Sequence, residues 1–149
     1  MSEYPKLAIE LLKKKGYRQT KPREMVLSVL DESNISLSPY EIVDYAKNKG
    51  EKADVVSVYR ILQAFEENGI VHRVLSSGKY RKCHLSSDMA HHDHESHCHH
   101  NLVCNACGNI EEINCQGMSL IEQVVTSTSS FKIQNHALEF YGFCKSCQN

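Results

Sequence analysis

Apolar residues in the first part of the chain recur every three or four positions, a spacing that predicts amphipathic helices. The predicted helices span residues 4–16, 22–32, 39–49 and 55–68. The start at Ser38-Pro39-Tyr40-Glu41 reads as a capping box, with Ser as N-cap and Glu at the third helical position. Asp54 is a suitable N-cap for the last helix, in which Val55, Val58, Leu62 and Phe65 form one stripe.

After Gly69 the pattern changes to short extended segments. Ile70–Leu75 and Lys79–Lys82 flank the turn Ser76-Ser77-Gly78, so we predict a β-hairpin. Helices followed by a basic two-stranded wing are the outline of a winged helix-turn-helix domain, here residues 1–85. An unspecialised small α+β domain is the alternative that this pattern leaves open.

The rest of the chain predicts a linker and a small second domain. Residues 86–100 are polar and rich in histidine, as expected of a linker or hinge. Residues 101–149 predict a small α/β domain that needs extra stabilisation. Its predicted elements are strands Asn101–Cys104 and Ile110–Ile113, a helix over 118–128, and a strand pair, Phe131–Ile133 and Ala137–Tyr141. The overall fold class is therefore α+β.

Charge and cysteine content divide the chain in the same way. Residues 1–82 hold 15 Lys/Arg and 11 Asp/Glu (+4), whereas residues 83–149 hold 2 and 7 (−5). All 7 cysteines and 8 of the 9 histidines lie in the second part. We find no apolar run of membrane-spanning length and no signal peptide, which favours the cytoplasm. Cytosolic thiols stay reduced, so metal ligation is favoured over disulfides.

Two CxxC motifs, Cys104–Cys107 and Cys144–Cys147, are the strongest chemical signal. Two intervening residues let both thiolates of a tight turn reach one ion, and Gly108 permits the first turn. Two such turns supply the four sulfurs of a structural zinc site, which would stabilise a small domain directly. A pair of unrelated redox motifs is the alternative.

The histidine content raises the question of a second, exchangeable site. Seven histidines lie within residues 83–100, more than one site needs. A solvated tract that binds metal loosely is the simpler explanation for some of them. Cys115 is better explained as a small buried apolar residue than as a ligand.

Several motifs together resemble the ferric uptake regulator family, in order over roughly residues 7–148. Thr20-Lys21-Pro22-Arg23 is similar to the start of that family's second helix. Val56–Leu62 resembles its recognition helix and Asn68–Val71 the segment that follows. Leu102–Gly108 resembles its metal-domain signature, and His136–Cys144 its final strand.

Within the family, the chain is most similar to the zinc uptake branch. The resemblance implies a regulatory zinc bound by His72, Cys83, a linker histidine and Glu112, with His97 in the linker position. His99 competes for that position because Asn101 stands where many relatives carry histidine, and His84 is a further contender beside Cys83. A thiolate ligand favours zinc over oxygen-preferring ions such as Mn²⁺.

The resemblance further implies a homodimer that binds a palindromic operator in double-stranded DNA. Its expected function is repression of zinc-uptake genes, with about two zinc ions per chain and no small-molecule substrate. A third metal site is a further possibility, although a buried structural role for His136 is equally plausible. Its three ligands would be His100, Glu122 and His136.

The predicted DNA contacts fall into two groups. Base edges would be contacted from the fourth helix by Ser57, Tyr59, Arg60 and Gln63, which lie off its apolar stripe. Phosphates would be contacted by Arg18, Lys21, Arg23 and the wing's Lys79. Each of these cations could instead be simply solvated.

The sequence leaves three other functions to consider. An iron- or manganese-responsive regulator of the same family is the nearest alternative. A zinc-buffering protein would leave the winged helix unexplained. A zinc hydrolase or thiol oxidoreductase is disfavoured because the chain has no HExxH motif, no serine nucleophile motif and no thioredoxin-like setting for a CxxC. We therefore expect no enzyme activity.

Overall fold

A computed structural model describes residues 3–83, 85, 99–114, 118–133 and 136–148. The chain forms two compact units, Met1–His91 and His92–Asn149. Residues 86–98, which make up most of the predicted linker, lie outside the described residues, so the linker stays a prediction. In the part that is described, no helix is long and apolar enough to cross a membrane.

The first unit has four helices followed by a two-stranded hairpin. The elements are α1 (Glu3–Lys14), α2 (Lys21–Glu32), α3 (Pro39–Asn48), α4 (Val55–Glu67), β1 (Val71–Arg73) and β2 (Tyr80–Lys82). Both predicted N-caps are present: Ser38 and Glu41 form a reciprocal capping box, and the Asp54 carboxylate accepts from the Ser57 backbone N–H. β1 and β2 pair antiparallel, with His72 opposite Arg81. This is the predicted winged helix.

The apolar stripes of the helices meet in one core. Leu27, Ile42, Leu62 and Phe65 are fully buried, one or two from each of α2, α3 and α4. Ile70 joins them from the start of the hairpin. A second antiparallel bridge, between Leu37 and Tyr80, fixes the wing against the α2–α3 connection. The core thus holds α4 and the wing in one rigid arrangement.

The second unit is a three-stranded sheet with one helix. It contains β3 (His99–Cys104), β4 (Ile110–Asn114), α5 (Met118–Thr128), β5 (Glu139–Gly142) and a 3₁₀ turn (Lys145–Cys147). The strand order is β4-β3-β5, with β4 antiparallel and β5 parallel to β3. Cys104, the last residue of β3, lies opposite Gly142, the last residue of β5.

The predicted strand at Phe131–Ile133 is wrong, since these residues are in irregular structure. The alternating pattern Phe-Lys-Ile suggested a hairpin with the final strand. Instead β5 takes the free edge of β3, where it gains a partner that the local sequence does not reveal. Phe131 is left exposed.

Among the described residues, the second unit buries little apolar surface. Cys104 is its one residue in the buried hydrophobic set, and α5 has no buried residue at all. Its exposed large apolar side chains include Leu120, Ile121, Val124, Phe140, Tyr141 and Phe143. An exposed apolar set of this kind is typical of a surface that another chain covers.

Candidate metal centres and nucleic-acid interface

The two CxxC motifs lie side by side because β3 and β5 run parallel and end together. Donor atoms of Cys104, Cys107, Cys144 and Cys147 all lie within 4.8 Å of one another. The Sγ atoms of Cys107 and Cys144 are 3.7 Å apart. Four sulfurs around a tetrahedral zinc, at about 2.3 Å from the ion, stand about 3.8 Å apart. The donor set and its spacing therefore suit a structural zinc ion.

Each CxxC turn is shaped by its backbone. Gly108 has a φ of +72°, a conformation that glycine adopts without strain, and its N–H donates to the Cys104 carbonyl at 2.9 Å. The Asn105 N–H donates to the Gly142 carbonyl at 2.8 Å, which ties the first turn to the end of β5. In the second turn the Cys147 N–H donates to the Cys144 carbonyl at 2.8 Å, so backbone bonds hold both turns.

The four thiols influence one another strongly. The Cys144 backbone N–H donates to Cys104 Sγ at 3.3 Å, and this bond, together with those from the Cys107 and Ala106 backbone, lowers the pKa of the Cys104 thiol to about 6. Contacts with the Cys144 and Cys107 sulfurs raise the pKa of Cys147 to about 12. Four adjacent thiolates need a cation to balance their charge. The cluster is therefore chemically matched to a divalent metal.

His72 and Cys83, the first two predicted regulatory ligands, are adjacent in the first unit. His72 Nδ1 lies 3.3 Å from Cys83 Sγ. His72 is on β1, and Cys83 follows β2, where its N–H extends the ladder to the Ile70 carbonyl at 2.9 Å. Cys83 is buried and His72 half-buried. An imidazole nitrogen and a thiol sulfur at this distance form half of a zinc ligand set.

The other predicted regulatory ligands lie in the second part of the chain. Glu112 is half-buried on β4, opposite Asn101 of β3. His99 belongs to β3, but its side chain is outside the described residues, as are all of His97 and His84. The choice between His97 and His99 stays a prediction.

The three residues of the predicted third site are close together in the second unit. His136 Nδ1 lies 2.6 Å from Glu122 Oε1, and the rings of His136 and His100 are 5.2 Å apart between centroids. His100 is buried. Among the described residues, the four cysteines are the one group whose donor atoms are all close enough for a shared ion. The third site stays a prediction, with a structural His136–Glu122 pair as the alternative.

The predicted base-contacting residues lie on the solvent side of α4. Ser57, Tyr59, Arg60 and Gln63 are all exposed, whereas Val58, Leu62 and Phe65 on the opposite side are buried. Tyr40 on α3 meets Tyr59 edge to face, at 6.5 Å between ring centroids. Tyr40 was not among the residues predicted for this face. An aromatic residue off the stripe of the preceding helix could have signalled it.

The predicted phosphate contacts surround the start of α2. Arg18 and Lys21 are exposed, and the N-cap Thr20 makes no side-chain cap bond. Arg23 is half-buried: it lies over the Tyr17 ring and donates to the Arg18 carbonyl. Positive charge at a helix N-terminus suits a phosphate. Arg23 also holds the loop that presents Arg18.

Lys79, the predicted phosphate contact on the wing, is in an ion pair. Its Nζ lies 2.7 Å from Glu41 Oε1, and Glu41 also accepts from the Ser38 backbone N–H at 2.6 Å. These bonds, chiefly the one from Lys79, lower the pKa of Glu41 to about 2. Lys79 therefore links the wing to the start of α3, a role that its isolated charge in the sequence did not indicate.

Replacing Glu41 with glutamine should cost less than about 1 kcal/mol of unfolding free energy at neutral pH, because the ion pair is partly exposed. Gln retains the capping box, so the change removes only the charge. Since the folded pKa lies below the usual 4.5, the contribution is complete above pH 4.5 and is lost towards pH 2. Urea unfolding from pH 7 to 2 should show the difference between variant and wild type vanish over that window. A stability difference that stays constant with pH would contradict this prediction. Glu10→Gln, which removes an exposed carboxylate on α1, is the control.

A winged helix with an exposed fourth-helix face, joined to a four-cysteine unit, defines a DNA-binding protein with a metal-dependent second domain. Comparison with known proteins supports this class. The model of the ferric uptake regulator family matches residues 14–141, and the chain belongs to this family. Its members are metal-responsive transcription regulators rather than enzymes.

The relatives bear three different functional names. The chain is 35% identical to the ferric uptake regulation protein of Legionella pneumophila over 138 residues, covering 92% of this chain and 96% of that protein. It is 29% identical to the peroxide operon regulator of Bacillus subtilis over 143 residues (95% and 92%). A solved zinc uptake regulator in complex with zinc and DNA has a TM-score of 0.80 at 24% identity, covering 99% and 96%. The predicted family and fold are confirmed, whereas zinc specificity is not decided by these matches.

Proposed function

We propose that this chain is a cytoplasmic, zinc-responsive repressor of zinc-uptake genes. Zinc in a regulatory site would favour the form of the protein that binds its operator. The observation that carries the proposal is the His72–Cys83 pair, with nitrogen and sulfur 3.3 Å apart. Zinc prefers such a mixed donor set, whereas Mn²⁺ prefers oxygen ligands.

The regulatory ligand set would be His72, Cys83, Glu112 and either His97 or His99. Zinc stabilises a conformation only by binding it more tightly than the alternatives. By linkage, operator DNA would then raise zinc affinity by the same factor as zinc raises DNA affinity. The four-cysteine zinc, in a closed sulfur-only set, would stay bound throughout and serve the fold.

The DNA contacts follow from the exposed face of α4 and the start of α2. Arg60 can donate two hydrogen bonds to a guanine, and Tyr59, held by Tyr40, can pack on a thymine methyl group. Ser57 and Gln63 lie on the same exposed face. Lys21 and Arg18, with Arg23 behind them, would bind phosphates and make affinity depend on salt.

The dimer would form through the second unit. Its exposed apolar side chains on α5 and around β5 need a partner surface, and a second copy of the same unit supplies one. A two-fold dimer presents two recognition helices to two half-sites of a palindromic operator.

The test is a titration of DNA binding against free zinc. Fluorescence anisotropy would follow wild type and Cys83→Ala on promoter-region DNA of the gene itself and on a scrambled duplex, at buffered Zn²⁺ concentrations. We expect wild-type affinity for the promoter to rise about 5- to 150-fold with zinc, the range of common allosteric couplings. Cys83→Ala should lose this rise while its four-cysteine zinc is retained.

Glu10→Ala is the matched control, because it removes an exposed carboxylate of the first unit without touching the His72–Cys83 pair. It should respond to zinc as wild type does. A response to Fe²⁺ or Mn²⁺ that ignores Cys83 would leave the family intact and overturn the zinc assignment.

A further inference from the structure

One backbone carbonyl connects the N-terminal helix to the Cys83 ligand. The Ile70 carbonyl accepts from the Tyr4 hydroxyl at 2.9 Å and from the Cys83 N–H at 2.9 Å. Tyr4 is 9% exposed and Cys83 is 4% exposed, so both bonds are shielded from water. The first turn of α1 is therefore bonded to the same atom that positions the Cys83 backbone.

Other helices are bonded to the same segment. The Ile70 N–H donates to the Phe65 carbonyl of α4 at 2.8 Å. Lys82, next to Cys83, donates to the Asp31 carboxylate at 2.9 Å and to its carbonyl at 3.0 Å, near the end of α2. The Lys82 ammonium also lies 5.6 Å from the centre of the Tyr4 ring. Three helices thus fix the backbone around Cys83.

The Tyr4 hydroxyl acts as a donor in this arrangement. Burial, together with the nearby Cys83 and Asp31, raises the pKa of Tyr4 well above its ordinary value, so the proton stays on the oxygen. A phenylalanine would fill the same apolar space against the core. The hydroxyl therefore contributes a bond to the Ile70 carbonyl that packing alone does not require.

We propose that Tyr4 is a positioning residue for the Cys83 metal ligand, so that α1 helps to set the metal affinity of the regulatory site. This inference rests on the proposed function, in which Cys83 binds the regulatory zinc. Tyr4 holds the Ile70 carbonyl, the carbonyl holds the Cys83 N–H, and the thiol is thereby kept 3.3 Å from His72. Groups that orient a ligand commonly change metal affinity by 10- to 100-fold when removed.

The test uses Tyr4→Phe in the full chain, with the four-cysteine site loaded with zinc and Co²⁺ as the probe for the regulatory site. A thiolate-to-Co²⁺ charge-transfer band that is absent from Cys83→Ala reports the Cys83 bond. We expect Tyr4→Phe to shift or weaken this band and to bind Zn²⁺ about tenfold more weakly in chelator competition, the lower end of the usual range.

Leu12→Ala is the matched control, since Leu12 is buried on the same helix, two turns from Tyr4. It should lower the apo protein's resistance to urea more than Tyr4→Phe does, and leave Zn²⁺ affinity and the Co²⁺ band unchanged. A Tyr4→Phe protein with wild-type affinity and band would overturn the positioning role. So would an equal loss of affinity in Leu12→Ala, because that would indicate general loosening of α1. A wild type without a Cys83-dependent band would overturn the regulatory site itself, and this inference with it.

Discussion

Replacing Cys147 with serine is expected to unfold the second unit while the winged helix stays folded. Among the described residues, Cys104 is the one buried apolar residue of the second unit, so apolar burial stabilises this unit little. Structural zinc contributes about 10–16 kcal/mol in small zinc-finger peptides, far more than such a core can supply. Loss of one of four ligands would remove most of this contribution.

Hydrogen exchange would show the effect strand by strand. Amides of His99–Cys104 and Ile110–Asn114 should lose protection in Cys147→Ser, whereas those of α2 and α4 should keep it. Size-exclusion chromatography with light scattering should show a monomer, because the apolar face of α5 would no longer be formed. Cys83→Ser, which removes a thiol from the first unit, should leave both measurements unchanged. Retained protection in β3 would show that the metal is not what holds the unit together.

Replacing Phe65 with alanine is expected to destabilise the winged helix and to leave the second unit folded. Phe65 is fully buried on the inner stripe of α4, among the side chains that join α2, α3 and the wing. Truncating a buried phenylalanine costs about 3–5 kcal/mol through lost burial and the cavity that remains. Single domains are commonly stable by about 5–15 kcal/mol, so the variant would lose a large part of the total.

Urea unfolding followed by far-ultraviolet circular dichroism would measure this loss. The helical signal comes mainly from the first unit, so its midpoint should fall sharply, while zinc bound at the four cysteines should be retained. Val56→Ala is the matched control: it lies on α4, is 57% exposed, and should change stability by less than about 0.5 kcal/mol. An unchanged midpoint in Phe65→Ala would mean that the α4 stripe does not form the core.

The sequence predicted the winged helix well because its determinants are local. The capping box at Ser38 and the N-cap at Asp54 mark helix starts by bonds within three residues, and the apolar stripes mark the buried side of each helix. The four-cysteine cluster was predictable for a different reason: each CxxC is a local motif, and a shared ion accounts for their pairing. Its geometry needed only the ends of β3 and β5 to coincide.

What the sequence did not reveal depends on partners distant along the chain. The alternation at Phe131–Ile133 suggested a strand, but the strand that pairs with β3 starts at Glu139. Lys79 was predicted to contact a phosphate, but it forms an ion pair with Glu41, 38 residues earlier in the chain. Tyr4 is the first residue of the predicted helix 4–16, and its bond to the Ile70 carbonyl spans 66 residues. Such contacts are decided by tertiary packing rather than by local pattern.

The parallel pairing of β3 with β5 has a consequence for the order of assembly. In the pair Asn101–Glu139 the two residues are 38 positions apart, and Glu139 is synthesised after the whole winged helix. Pairings between distant residues form late, because the chain must lose more entropy before the contact compensates for it. Because N-terminal domains generally fold first during synthesis, the winged helix would form before the second unit, which needs a metal ion at its two CxxC motifs. The second unit of each new chain would thus complete its folding only after synthesis, once its four cysteines have bound their ion.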